Sequence, residues 1–143
     1  MAQQKTSLLD LKNFITLNKG TVSYISSDED FFSEEAIEYI KAEKLDETSK
    51  DFNYDVFYGK ETETSRIFDI VETLPMMSTS RLVIWRRAHE LRDKDWEMLL
   101  SLFTNPVPST FLVFMGDKPD GRKNIIKQVM KSLTHFHFTK PYD

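Results

Sequence analysis

Two periods alternate along this chain. Leu8, Leu11, Phe14 and Ile15 share one face of a helix, with Ser7 placed to cap it and Lys19-Gly20 to close it. Thr21 to Ser26 is β-branched and aromatic, which predicts a strand, and the acidic turn Asp28-Glu29-Asp30 then opens a helix through Phe32, Ala36, Ile37 and Ile40. The same unit recurs. Phe52 to Tyr58 alternates as a strand, Gly59 turns, and a helix carrying Ile67, Ile70, Val71 and Leu74 runs until Pro75, which disfavours helical geometry before it. Arg81 to Trp85 and Phe111 to Met115 hold consecutive apolar residues, as strands covered on both faces do. Between them Trp96, Leu99, Leu100 and Phe103 follow helical spacing, with Asp93 as the cap and Pro106 and Pro108 beyond the end. A helix with Ile126, Val129, Met130 and Leu133 on one stripe and a last strand, His135 to Phe138, complete the series. Five strands alternating with helices predict a single α/β domain over residues 1–143, in three layers around a mainly parallel sheet.

Composition narrows this picture. Of 143 residues, 40% are hydrophobic and 13% aromatic, which suits a packed domain that folds alone. No repeat or linker interrupts the pattern, and the abrupt end at Lys140-Pro141-Tyr142-Asp143 reads as a cut at a domain edge. A formal net charge of −4 argues against a surface that binds nucleic acid by neutralising phosphates over its whole area. The local basic run of Arg86, Arg87, Arg92 and Lys94 reads as a solvated strand end and helix start, with DNA contact, within a larger complex only, as the alternative. With no cysteine, disulfides and thiolate metal sites or nucleophiles are excluded. The amino terminus lacks a signal-peptide core and no apolar run reaches membrane-spanning length, so the expectation is a soluble cytoplasmic protein.

In such a sheet, chemistry belongs in the loops after the strands. A phosphate-binding loop needs glycines for close backbone approach and a lysine followed by Ser or Thr. Ser26-Ser27-Asp28-Glu29-Asp30-Phe31-Phe32 has neither glycine nor lysine and carries three carboxylates, which excludes ATP there. Where a nucleotide hydrolase would place a magnesium-organising carboxylate, the third strand ends Trp85-Arg86-Arg87. Gly116-Asp117-Lys118 reads as a turn, and His89 is isolated. His135 and His137, two apart on a strand, have a spacing that could bind a metal; the simpler expectation is two exposed histidines opposite buried Phe136 and Phe138. No catalytic, cofactor-binding or metal-binding residue is assigned. A receiver-like signalling domain is an alternative, with Asp28 and Glu29 as an acidic pocket and Lys140-Pro141 following, although Arg86 stands where its acceptor aspartate should be.

Met76 and Met77, just past Pro75, are two long apolar side chains in a connection, where water normally selects polar residues. Core contact and a partner are the two readings.

Several segments together resemble the amino-terminal domain of the delta subunit of bacterial DNA polymerase III, from the clamp loader. They are Tyr24-Ile25 with the acidic turn and Glu34-Glu35-Ala36, Asp55-Val56-Phe57 with Gly59, Leu74-Pro75-Met76-Met77-Ser78, Arg81-Leu82-Val83, Asp95-Trp96 with Leu99-Leu100, Asn105-Pro106 through Ser109-Thr110, and Asp117-Lys118 with Asp120. Their order and spacing carry the resemblance. It implies a nucleotide-hydrolase-like fold of the AAA+ clamp-loader type without a working ATP site, with strand order 5-1-4-3-2. It also implies a wedge at Met76 and Met77, flanked by Leu74, Pro75 and Ser78, that enters a hydrophobic pocket of the sliding clamp (beta subunit) and favours the opened ring. Neighbouring loader subunits would handle ATP, this piece would be monomeric and non-catalytic, and further carboxyl-terminal domains would belong to the native chain. The family commonly has aromatic or leucine residues in the wedge pair; methionine's unbranched thioether chain adapts to irregular pockets.

Overall fold

The computed structural model describes residues 8–17, 21–75 and 80–139. Its elements run α1 (Leu8–Thr16), β1 (Val22–Ser27), α2 (Asp30–Lys44), β2 (Tyr54–Tyr58), α3 (Arg66–Glu72), β3 (Arg81–Arg86), α4 (Asp93–Thr104), β4 (Thr110–Met115), α5 (Asn124–Ser132) and β5 (Thr134–Phe138). Single 3-10 turns lie at Lys50–Phe52, Gly59–Glu61 and Ala88–Glu90. Every strand pairing is parallel, in the order β2-β3-β4-β1-β5, which is 5-1-4-3-2 read from the other edge.

The pleat sorts the core into two. On one face Leu82, Ile84, Phe111 and Val113 meet Leu11 and Ile15 of α1 and Ile37 and Ile40 of α2. On the other, Val83, Trp85, Leu112 and Phe114 meet Ile67 and Val71 of α3, Trp96 and Leu99 of α4, and Val129 of α5. Consecutive residues of β3 and β4 thus feed opposite layers, which is why both strands read as unbroken apolar runs.

Leu133 lies beyond α5, which ends at Ser132, and three further boundaries differ from the sequence reading with a visible cause. β2 begins at Tyr54, because Asn53 Nδ2 donates to the Ser49 carbonyl (3.2 Å) and holds Lys50–Phe52 as a turn, leaving Phe52 exposed. α3 stops at Glu72: Thr73 is extended (ψ 124°) and its hydroxyl donates to the Asp69 carbonyl (2.7 Å), so Leu74 leaves the helix face that its spacing gave it. α4 is capped from Asp95, not Asp93, the Asp95 carboxylate accepting the Arg92 backbone N–H (2.9 Å) and the Thr64 hydroxyl (2.9 Å). Ser7 and Lys19-Gly20 lie outside the described residues.

Candidate functional site

The carboxyl ends of β1, β3 and β4 border a cavity of about 260 Å3, lined among others by Asp30, Tyr58, Met115 and Gly116. A bound phosphate would need backbone amides turned into this space. The β1–α2 connection has only Asp28 and Glu29 between Ser27 and Asp30, and Ser27 is tied to Ser33 (2.6 Å) and to the Glu29 carbonyl (2.5 Å). Across the cavity the Arg86 guanidinium grips both oxygens of Glu34 on α2, at 2.6 and 3.0 Å. These hydrogen bonds hold the Glu34 carboxyl below the usual carboxylate range. The pair ties the end of β3 to α2 along the wall of the cavity.

Three of the four residues of the basic run are paired with carboxylates. Arg86 pairs with Glu34, Arg87 with Glu61 (3.0 Å) and Glu90 (3.5 Å), and Arg92 with Asp95 (3.4 Å). The acidic pocket of the receiver-like alternative is not assembled either. Asp28 accepts from His137 Nε2 at 3.2 Å, Arg86 ends β3, and Lys140 lies outside the described residues.

The two histidines are half-buried rather than exposed, and the sequence reading missed their partner, Ser26. The parallel register sets Tyr24 beside His135 and Ser26 beside His137. Ser26 Oγ then lies 2.8 Å from both His135 Nε2 and His137 Nδ1. Proton order follows from the carboxylate. Asp28 requires an N–H at His137 Nε2, so neutral His137 has a bare Nδ1 that accepts the Ser26 O–H, and Ser26 Oγ accepts the His135 Nε2–H. Ser26 is 0% exposed, so this serine, histidine and aspartate cannot serve as a nucleophilic triad. Among the described residues no group of three His, Asp or Glu could hold a metal ion.

Burial, with His137 and Lys118 nearby, lowers the His135 pKa from 6.5 to about 4. In this window the unfolded chain binds the proton that the folded one refuses, so stability is fully present above pH 6.5 and is lost as pH falls towards 4. Discounting for partial solvent screening, the loss is about 1–2 kcal/mol. Urea unfolding at pH 7 and pH 4.5 measures it, and the difference should shrink in His135→Gln; an equal difference in that variant would assign the effect to other groups.

A second feature lies at the opposite, amino-terminal end of β3. Leu74 is 75% exposed directly after α3, followed by Pro75; Met76, Met77 and Ser78 lie outside the described residues. The chain is anchored on both sides of this connection. Arg81, at the start of β3, is buried; its Nε donates to the Thr73 carbonyl (3.2 Å), its Nη1 to Asp55 Oδ2 (3.2 Å), and its backbone N–H to the Ser109 carbonyl (2.8 Å). The Thr110 hydroxyl adds a bond to the Val71 carbonyl (3.2 Å). Nothing in the local period marks Arg81 for this role, since its partners lie 8 and 26 residues away.

Among the described residues no helix is long and apolar enough to cross a membrane. The sequence model of the family described as DNA polymerase III, delta subunit, matches residues 24–139. DNA polymerase III subunit delta of Bacillus subtilis is 28% identical over 129 residues, covering 81% of this chain and 37% of that protein, so the chain spans little more than a third of that relative. Among solved structures, the Bacillus subtilis DNA clamp loader delta protein superposes with a TM-score of 0.82 at 24% identity, over 94% of this chain and 43% of that one. A DNA polymerase III gamma subunit-related protein of Thermotoga maritima gives 0.67 at 14% identity, over 94% and 46%. The P-loop NTPase domain of the sigma-54 transport activator from E. coli gives 0.56 at 8% identity, over 94% and 95%. These likenesses place the sheet and its helices in the clamp-loader and P-loop NTPase fold, and with the profile match over most of its length the chain belongs to the DNA polymerase III delta subunit family.

Proposed function

We propose that this chain is the amino-terminal, non-catalytic part of a longer cytoplasmic clamp-loader subunit, and that it binds the sliding clamp through Leu74, Pro75, Met76, Met77 and Ser78. The observation that carries the reading is the exposure of Leu74 on a connection anchored on both sides, immediately before a proline and two methionines. A long apolar side chain held in water at such a place is what a hydrophobic pocket on a partner recognises. The β1–α2 connection supports the same reading from the other end of the sheet, because a loop with no glycine or lysine and with acidic residues at Asp28, Glu29 and Asp30 offers no phosphate site, which leaves surface recognition as the domain's work. Binding a distorted ring better than a closed one would shift the clamp towards opening, while ATP is handled by neighbouring subunits of the loader.

Titration of the chain against purified sliding clamp tests the proposal. Saturable one-to-one binding is expected without nucleotide, and millimolar MgATP should change neither the affinity nor the melting temperature of the chain. No binding by a folded chain, or binding that requires ATP, would overturn the reading.

A further inference from the structure

The peptide group joining Thr73 to Leu74 carries both the carbonyl that Arg81 holds and the N–H of the exposed leucine. Rotation about that peptide swings Leu74, so whatever fixes the carbonyl fixes the direction in which the side chain is presented. Thr73 is extended there (φ −74°, ψ 124°): its own N–H caps α3 on the Ile70 carbonyl (3.1 Å), but its carbonyl points out of the helix, and Leu74 is 75% exposed with little core contact of its own to orient it. The Arg81 guanidinium is well placed to do so. Its side chain is 6% exposed, and a planar fork donates in fixed directions to Thr73 O and Asp55 Oδ2, both at 3.2 Å. Its backbone N–H is itself held by Ser109 at the entry of β4. Leu74 is thereby referenced through one residue of β3 to Asp55 of β2, by its side chain, and to Ser109 just before β4, by its backbone.

We infer that Arg81 is a positioning residue for the clamp-binding surface: it makes no contact with the partner but fixes the Thr73–Leu74 peptide so that Leu74 meets the partner's pocket in one orientation. This rests on the proposed clamp-binding function and deepens it. A lysine at position 81 keeps a positive charge for Asp55 but is a single-point donor and cannot serve both acceptors in fixed directions. The orientation is then lost while the charge balance of the buried site is kept. Preorganisation lowers the ordering cost of binding, so its loss should weaken the complex without removing any contact atom.

The experiment is a double-mutant cycle on clamp affinity with Arg81→Lys and Leu74→Ala, each variant checked for fold by circular dichroism. Each single change is expected to weaken binding about 10-fold, and the double variant to bind about as well as either single one, since a misdirected Leu74 has little left to lose. Additive losses of about 100-fold, or wild-type affinity in Arg81→Lys, would sink the inference while leaving clamp binding by the parent intact. Asp55→Asn, which keeps Arg81 but removes its orienting carboxylate, gives the same reading if the lysine variant does not fold. A clamp-free measurement separates this inference from the proposed function: the 15N order parameter of the Leu74 amide should fall in Arg81→Lys, and an unchanged value would refute the positioning role even if the parent bound no clamp at all.

Discussion

Replacing Met76 and Met77 together by serine is expected to abolish measurable binding to the sliding clamp while leaving the domain folded. Burying a methionine side chain contributes about 1.5–3 kcal/mol, so the pair is worth about 3–6 kcal/mol before ordering costs, or a loss of at least about 100-fold in affinity. The fold should be indifferent to the exchange. The two ends of the connection carrying the methionines are held by Arg81 at Thr73 and by the ladder bond of Arg81 to Ser109. Calorimetric titration against the clamp, with thermal unfolding of the same samples, reads both halves of the statement. A well-folded double variant that keeps its affinity would dispose of the apolar surface after α3. Leu74→Ala alone should produce the smaller, roughly 10-fold loss expected when one exposed anchor of several is truncated.

The largest effect on stability is expected at Trp85. Its side chain is fully buried in β3, its ring lying 5.2 Å from Phe57 edge-on and 5.9 Å from Phe114 in a stacked arrangement, and its indole N–H donates to the Gly59 carbonyl at 2.9 Å. Gly59 has φ +46°, and a Cβ there would meet the Glu90 carboxylate, so the turn after β2 needs glycine and the tryptophan ties that glycine down. Trp85→Ala leaves a cavity at the junction of three aromatic rings and orphans a buried carbonyl, a loss of about 3–5 kcal/mol. That is a large share of the 5–15 kcal/mol that holds a typical domain folded. Trp85→Phe, which refills the space but not the hydrogen bond, should cost about 1–2 kcal/mol. Denaturant unfolding of both variants checks the ranking; a loss below 1 kcal/mol in the alanine variant would mean that the layer collapses around the gap.

Several parts of this architecture were legible because they are local. The helical stripe of Trp96, Leu99 and Phe103 and the unbroken apolar runs of β3 and β4 report which faces are covered, and neighbouring residues alone set those patterns. The boundaries at Phe52 and Leu74 were misread for the same reason: each continues a period by sequence, but the Asn53 and Thr73 side chains bond to the Ser49 and Asp69 carbonyls where the period ends. The candidate site was only partly legible. The apolar segment after Pro75 stands out in sequence, whereas Arg81 reads as an ordinary polar strand start until the fold brings Thr73 and Asp55 to its guanidinium.

The sequence by itself determined the order of the elements, the two-sided burial of the central strands, and the lack of a glycine-rich phosphate loop, since these depend on residue type and near neighbours. It also carried the family resemblance. Only the tertiary structure decided that Glu34 and Arg86, 52 residues apart, pair at the wall of the cleft. The same holds for Ser26 bonding two histidines more than 100 residues away, and for the buried Arg81 reaching the Thr73 carbonyl beside the exposed Leu74. A hydrophobic period states which face of an element is buried but not which distant side chain it meets; that choice is made by strand register and by the hydrogen-bond partners that burial leaves within reach.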